Sequence, residues 1–193
     1  MARMGISAAP CVSIFRTVCP ENLIRVIRVI RGKTIRAIQV LMNTELEELY
    51  QQVILDHSKR PRNFGELPGA VSVHGDNPSC GDEIDLHVKF RPDGGVEDVK
   101  FTGTGCAISL ASASLMTMKL KGKPRAEAEE FLRAFHHLVT SDTAPTLKGL
   151  GDLILLGGVR KFPQRVKCAM LAWRAFEQAL HEPGATVTTE EQG

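Results

Sequence analysis

The chain has 193 residues and 43% hydrophobic content, enough for one domain with a real core and short appendages. Of its 24 basic and 22 acidic side chains, seven and one fall within residues 1–41, so residues 42–193 carry 17 and 21 and are mildly acidic. That balance gives no electrostatic reason to expect a nucleic-acid partner, and no apolar run approaches the roughly eighteen residues needed to span a membrane.

Residues 1–41 are basic and apolar, with Arg25, Arg28, Arg31 and Arg36 set among Ile, Val and Leu. They lack the charge, apolar run and small-residue cleavage site of a secretory signal. The expectation is a non-native start or a disordered extension, with Met42 as the true start. An Arg-rich transit peptide and a membrane-surface helix are the alternatives. Cys11 and Cys19 lie here and are assigned no function.

Thr44-Glu-Leu-Glu47 has the pattern of a capping box, and Leu46, Leu49, Tyr50, Val53 and Ile54 follow at helical spacing. A helix over about 45–58 is predicted, stopped before Pro61, with 60–65 as loop. Val71–His74 is a short strand, Ile84–Phe90 alternates apolar and polar residues, and Val96–Phe101 is read as alternating again after the Pro92-Asp-Gly-Gly95 turn. The period then changes. Ala107–Leu120 reads as a buried helix, Ala126–Val139 as an amphipathic one, Leu147–Val159 as a short helix and turn, and Pro163–Leu180 as a closing helix. Strands first and helices later predict an α+β domain over 42–182, with a small antiparallel sheet of about three strands and a disordered tail over 183–193. His57, His74, His136 and His137 read as side chains of solvated faces, and Trp173 as packing.

Five cysteines, an odd number, fit a disulfide framework poorly, and in a reducing cytoplasm thiols read better as metal ligands or reactive groups. Cys80, Cys106 and Cys168 stand in Asn77-Pro-Ser-Cys-Gly-Asp82, Gly103-Thr-Gly-Cys-Ala-Ile-Ser109 and Arg165-Val-Lys-Cys-Ala-Met170, 26 and 62 residues apart. Such gaps exclude a local zinc finger and point to loops gathered by a folded domain. Gly81 lets the backbone aim Cys80 and Asp82 at one point. Cys106 is predicted to open a helix, and Cys168 to lie near the start of one beside Arg165 and Lys167. Both settings favour a thiolate. Three thiolates and the Asp82 carboxylate around Zn²⁺ sum to about −2, which gives Arg165 and Lys167 a counter-charge role. A hard oxygen among soft sulfurs marks the labile position. Three cysteines packed as small hydrophobes is the competing structural account.

These three motifs, in this order, resemble the NifU/IscU-like iron–sulfur cluster assembly proteins, and in particular their SufU branch. The resemblance covers about residues 44–181. Two features point to that branch: Lys167 stands where IscU-type scaffolds carry a His immediately before the third cysteine, and the stretch between the second and third cysteines is long. The resemblance implies a SufE/NifU-like (IscU-like) fold and one zinc held by Cys80, Asp82, Cys106 and Cys168. It also implies a SufS-type, pyridoxal-phosphate-dependent cysteine desulfurase as partner and delivery of sulfur to downstream Suf assembly proteins. Cys80 would be the persulfide acceptor, with Asp82 helping to hold or release the metal. The alternative is a scaffold on which a transient iron–sulfur cluster is built. A structural zinc protein without sulfur chemistry is a third reading.

Overall fold

Ile84, Leu86 and Val88 alternate with Glu83, Asp85, His87 and Lys89, and this period of two lays Asp82–Phe90 down as a strand with one fully buried face. The structure is a computed structural model, and it describes residues 48, 50–143, 147, 149–181 and 186–189. Residues 1–41, the Met42 start and the Thr44–Glu47 capping box lie outside the described residues. All that is described belongs to one unit, Glu48–Gly193.

Helix α1 covers 50–59. Three strands follow, β1 (Val71–Asn77), β2 (Asp82–Phe90) and β3 (Val96–Thr104), paired as an antiparallel meander. β3 does not alternate cleanly, and the register shows why. Lys89 pairs with Asp98 but Phe90 pairs with Val96, so Glu97 is an extra residue in the ladder. This bulge lets Val96 and Val99, three apart, both face the core.

Helices α2 (Ala107–Leu120) and α3 (Arg125–Thr140), a 3-10 helix (Gly151–Lys161) and α4 (Pro163–His181) complete the packing layer. α4 lies on β1 and β2 and against α2, with Trp173, Phe176, Leu171 and Ala172 fully buried. Trp173 stacks on Phe135 of α3 at 4.4 Å between centroids, and its indole N–H donates to Ser112 Oγ of α2 at 3.2 Å. One side chain thus ties three helices together.

Two expectations change. The tail contributes a fourth strand, β4 (Thr186–Thr188), parallel to β1, so the sheet is mixed with order β3-β2-β1-β4. A three-residue edge strand beyond Pro183 carries too little pattern to read from sequence. His57 is not on a solvated face: it is buried, with Nδ1 bonded to Ser114 Oγ at 2.8 Å. Burial, and next the neighbouring Arg62 charge, hold its pKa below the usual value. No described helix is long and apolar enough to cross a membrane.

Candidate metal centre

Register brings the motifs together. Asn77 pairs with Asp82 and Glu83 with Thr104, so the β1–β2 turn, the start of β2 and the β3–α2 junction share one end of the sheet. The turn closes with Cys80 and Gly81 both donating their N–H groups to Asn77 O, at 3.1 and 2.9 Å. Gly81 sits at φ 67, a left-handed conformation that glycine adopts without cost, and this turns Cys80 outward and Asp82 inward. Cys80 is exposed, whereas Asp82 is 0% and Cys168 1% exposed.

Ligand atoms of Cys80, Asp82 and Cys168 all lie within 4.8 Å of one another. Donors around a tetrahedral zinc stand about 3.3–3.8 Å apart, given bonds near 2.0–2.3 Å. The group therefore needs a contraction of only about 1 Å at its widest to close on an ion. Two sulfurs and a carboxylate oxygen are a donor set that zinc accepts, so the residues present fit a metal ion.

The group is held from outside. Asp82 Oδ1 accepts the N–H of Cys106 at 2.6 Å, and Oδ2 accepts from Asn77 Nδ2 at 3.0 Å. The same Nδ2 donates to Cys168 Sγ at 3.3 Å, and the Cys168 thiol donates to Gln164 O at 3.3 Å. Each carboxylate oxygen keeps a lone pair for a metal. Gly105 has to be a glycine for this arrangement, because a Cβ there would lie 2.8 Å from Asp82 Oδ1.

Cys106 takes the N-cap position of α2, as expected, but its thiol makes no capping bond. Its sulfur lies outside the 4.8 Å group. Its backbone N–H on Asp82 and its charge acting on Cys168 nonetheless place it at the edge of the centre. The expected thiolate-favouring setting of Cys168 is overturned. Burial, then hydrogen bonds with Asp82 and Cys80, push its pKa well above the usual thiol value. These outweigh the nearby exposed Arg165 and half-buried Lys167. A metal replacing the proton would reverse this preference.

Three residues outside the expected set contribute. Asn77 opens the first cysteine motif, and its position there was the only available signal. Burial raises the pKa of Tyr50 on α1, the Arg165 charge acts against that, and Cys106 adds to it. Thr189 lies just past β4 and donates to Asn77 Oδ1 at 2.8 Å. A separate groove of about 960 Å³ between α3, α4 and β4 is lined by Arg133, His136 and Arg174 and by none of the three thiols.

Comparison with known proteins gives the family. Residues 49–184 match the NifU-like N terminal domain. The chain is 47% identical over 137 residues to the iron–sulfur cluster assembly scaffold protein IscU of Streptococcus pyogenes, covering 71% of this chain and 86% of that one. It is 46% identical over 138 residues to the zinc-dependent sulfurtransferase SufU of Bacillus subtilis, covering 72% and 93%. The crystal structure of a SufU from Fervidobacterium islandicum, described as a cluster assembly scaffold protein for the SUF system, superposes with a TM-score of 0.61 at 36% identity, over 66% of this chain and 93% of that one. With the domain match covering most of the chain, this protein belongs to the NifU/IscU-like iron–sulfur cluster assembly family.

Proposed function

We propose that the chain is a zinc-bound sulfur acceptor. It takes the outer sulfur of a persulfide from a SufS-type, pyridoxal-phosphate-dependent cysteine desulfurase and relays it to downstream Suf assembly proteins. The observation that carries this is the asymmetry of the ligand group: Asp82 and Cys168 are sealed in the fold while Cys80 is open to a partner. A cage meant only to hold an ion has no need of one exposed sulfur.

Cys80, Asp82, Cys106 and Cys168 would hold the ion. Zinc, when bound, keeps the sulfurs as thiolates at neutral pH, which a free thiol with a pKa of about 8.5 is not. Cys80 then supplies the nucleophile. Its sulfur attacks the outer sulfur of the donor's Cys–S–SH, a new S–S bond forms on Cys80, the donor's S–S bond breaks, and the donor cysteine leaves as thiolate. The transfer needs no outside oxidant or reductant. Asn77 and the Cys106 N–H keep Asp82 in place while Cys80 reacts. Arg165 and Lys167 offset the negative charge of the ligand set.

The sulfurtransferase named in Bacillus subtilis supports this reading, as does Lys167 in place of a scaffold's His. The scaffold name of the Streptococcus pyogenes relative favours the second reading, assembly and transfer of a transient cluster. Metal analysis of the purified protein separates them. About one zinc per chain with no visible chromophore supports the acceptor; an iron- and sulfide-dependent absorption band in place of zinc would establish the scaffold.

A further inference from the structure

We propose that Thr189 and Asn77 are positioning residues for the metal ligands, so that the strand at the chain's tail orders the centre from behind. This rests on the reading that Cys80, Asp82, Cys106 and Cys168 hold zinc. Asn77 is 0% exposed and Thr189 1%. The Asn77 amide sits between the tail and the ligands: Nδ2 donates to Asp82 Oδ2 at 3.0 Å and to Cys168 Sγ at 3.3 Å, and Oδ1 accepts from Thr189 Oγ1 at 2.8 Å.

An ionised carboxylate and a metal-bound thiolate can only accept hydrogen bonds. The NH₂ end of Asn77 must therefore face Asp82 and Cys168, which leaves Oδ1 facing away and in need of a donor. Buried as it is, Oδ1 has no water to turn to, and the Thr189 hydroxyl is what satisfies it. Thr189 is fixed in turn. Its N–H donates to Asp76 O at 3.1 Å, continuing the pairing of Thr186, Val187 and Thr188 with His74, Gly75 and Asp76. The order of dependence runs from β4 to Thr189, to Asn77, and then to an oxygen ligand and a sulfur ligand at once. One amide nitrogen bridging both ligands sets how far apart they stand before any ion arrives. It also places two N–H bonds on a ligand set whose net charge is negative.

Zinc transfer to a chromogenic chelator, and the visible spectrum after cobalt substitution, test this on the full chain. Thr189→Val keeps the shape and removes the hydroxyl, and Thr189→Ser keeps the hydroxyl. The expected result is about tenfold weaker zinc retention and an altered cobalt spectrum for Thr189→Val, with Thr189→Ser within about twofold of wild type. In an Asn77→Ala background, Thr189→Val has no further effect. Should Thr189→Val aggregate, Thr189→Ala removes the same bond and carries the comparison. Zinc-loaded wild type with an equally retentive Thr189→Val, or a Thr189→Ser as weak as Thr189→Val, overturns the inference alone. Wild-type protein that holds no zinc overturns the metal reading and the inference with it.

Discussion

Gly105→Ala adds one methyl group at the point where the β3–α2 junction passes over Asp82. An ideal Cβ there lies 2.8 Å from Asp82 Oδ1, 3.1 Å from its Cβ and 3.2 Å from its Cγ. Carbon contacts are comfortable near 3.5–4.0 Å, so something has to move by about half an ångström or more. Asp82 cannot turn to solvent, since it is fully buried and bonded at both oxygens. Moving it stretches the 2.6 Å bond from Cys106 N–H, a charge-assisted bond worth about 1.5–3 kcal/mol. Moving the junction instead pulls the Cys106 N–H away from Asp82. Overpacking of this kind costs about 1–3 kcal/mol, and about 2 kcal/mol lowers the melting temperature of a domain this size by roughly 4–8 °C. Zinc retention falls about tenfold or more, because the ligand itself is displaced. Differential scanning calorimetry of the zinc-free protein and chelator competition of the loaded protein read the two effects. Gly158→Ala is the control: its Cβ meets only Tyr50 Cε2 at 3.8 Å, and it stays within about 0.5 kcal/mol of wild type. A Gly105→Ala protein that matched wild type in both melting and zinc retention would refute the claim that this junction is shaped around Asp82.

Trp173→Phe removes the indole N–H on Ser112 and part of the stack on Phe135, and is expected to destabilise by roughly 1.5–3 kcal/mol in urea titrations. Trp173 is the chain's single tryptophan, so circular dichroism follows the unfolding. His57 gives a pH dependence. Its folded pKa lies below the usual 6.5, so the unfolded chain binds the proton more readily and stability is lost as pH falls through 6.5 toward the lower folded value. Urea midpoints at pH 7.5 and 5.5 should differ more for wild type than for His57→Asn; equal differences would exclude His57 as a source.

The fold was legible where period and chemistry agreed. Ile84-Asp-Leu-His-Val announces a half-buried strand, and the buried run from Ala107 to Leu120 a helix with the observed bounds. β3 is read as alternating, although Glu97 and Asp98 stand together between Val96 and Val99; only the pairing with β2 shows that Glu97 is the extra residue. The grouping of Cys80, Asp82 and Cys168 was legible because Cys80 and Asp82 share a turn motif and Cys168 has a motif of its own. Its order was not. Nothing local shows that Cys168 would be buried deeply enough to override Arg165 and Lys167, or that Asn77 would spend its amide on two ligands. Thr189 was hidden for the same reason, since its partner Asn77 is 112 residues away.

In the proposed relay Cys80 carries the sulfur. Incubating the zinc-loaded protein with a SufS-type desulfurase and ³⁵S-cysteine, then releasing label with thiol, measures it directly. Wild type should take up thiol-releasable sulfur, and Cys80→Ser, kept folded by the remaining core, should take up none. Label on Cys80→Ser equal to that on wild type would contradict the account and move the acceptor to another cysteine, with Cys168 the next to test.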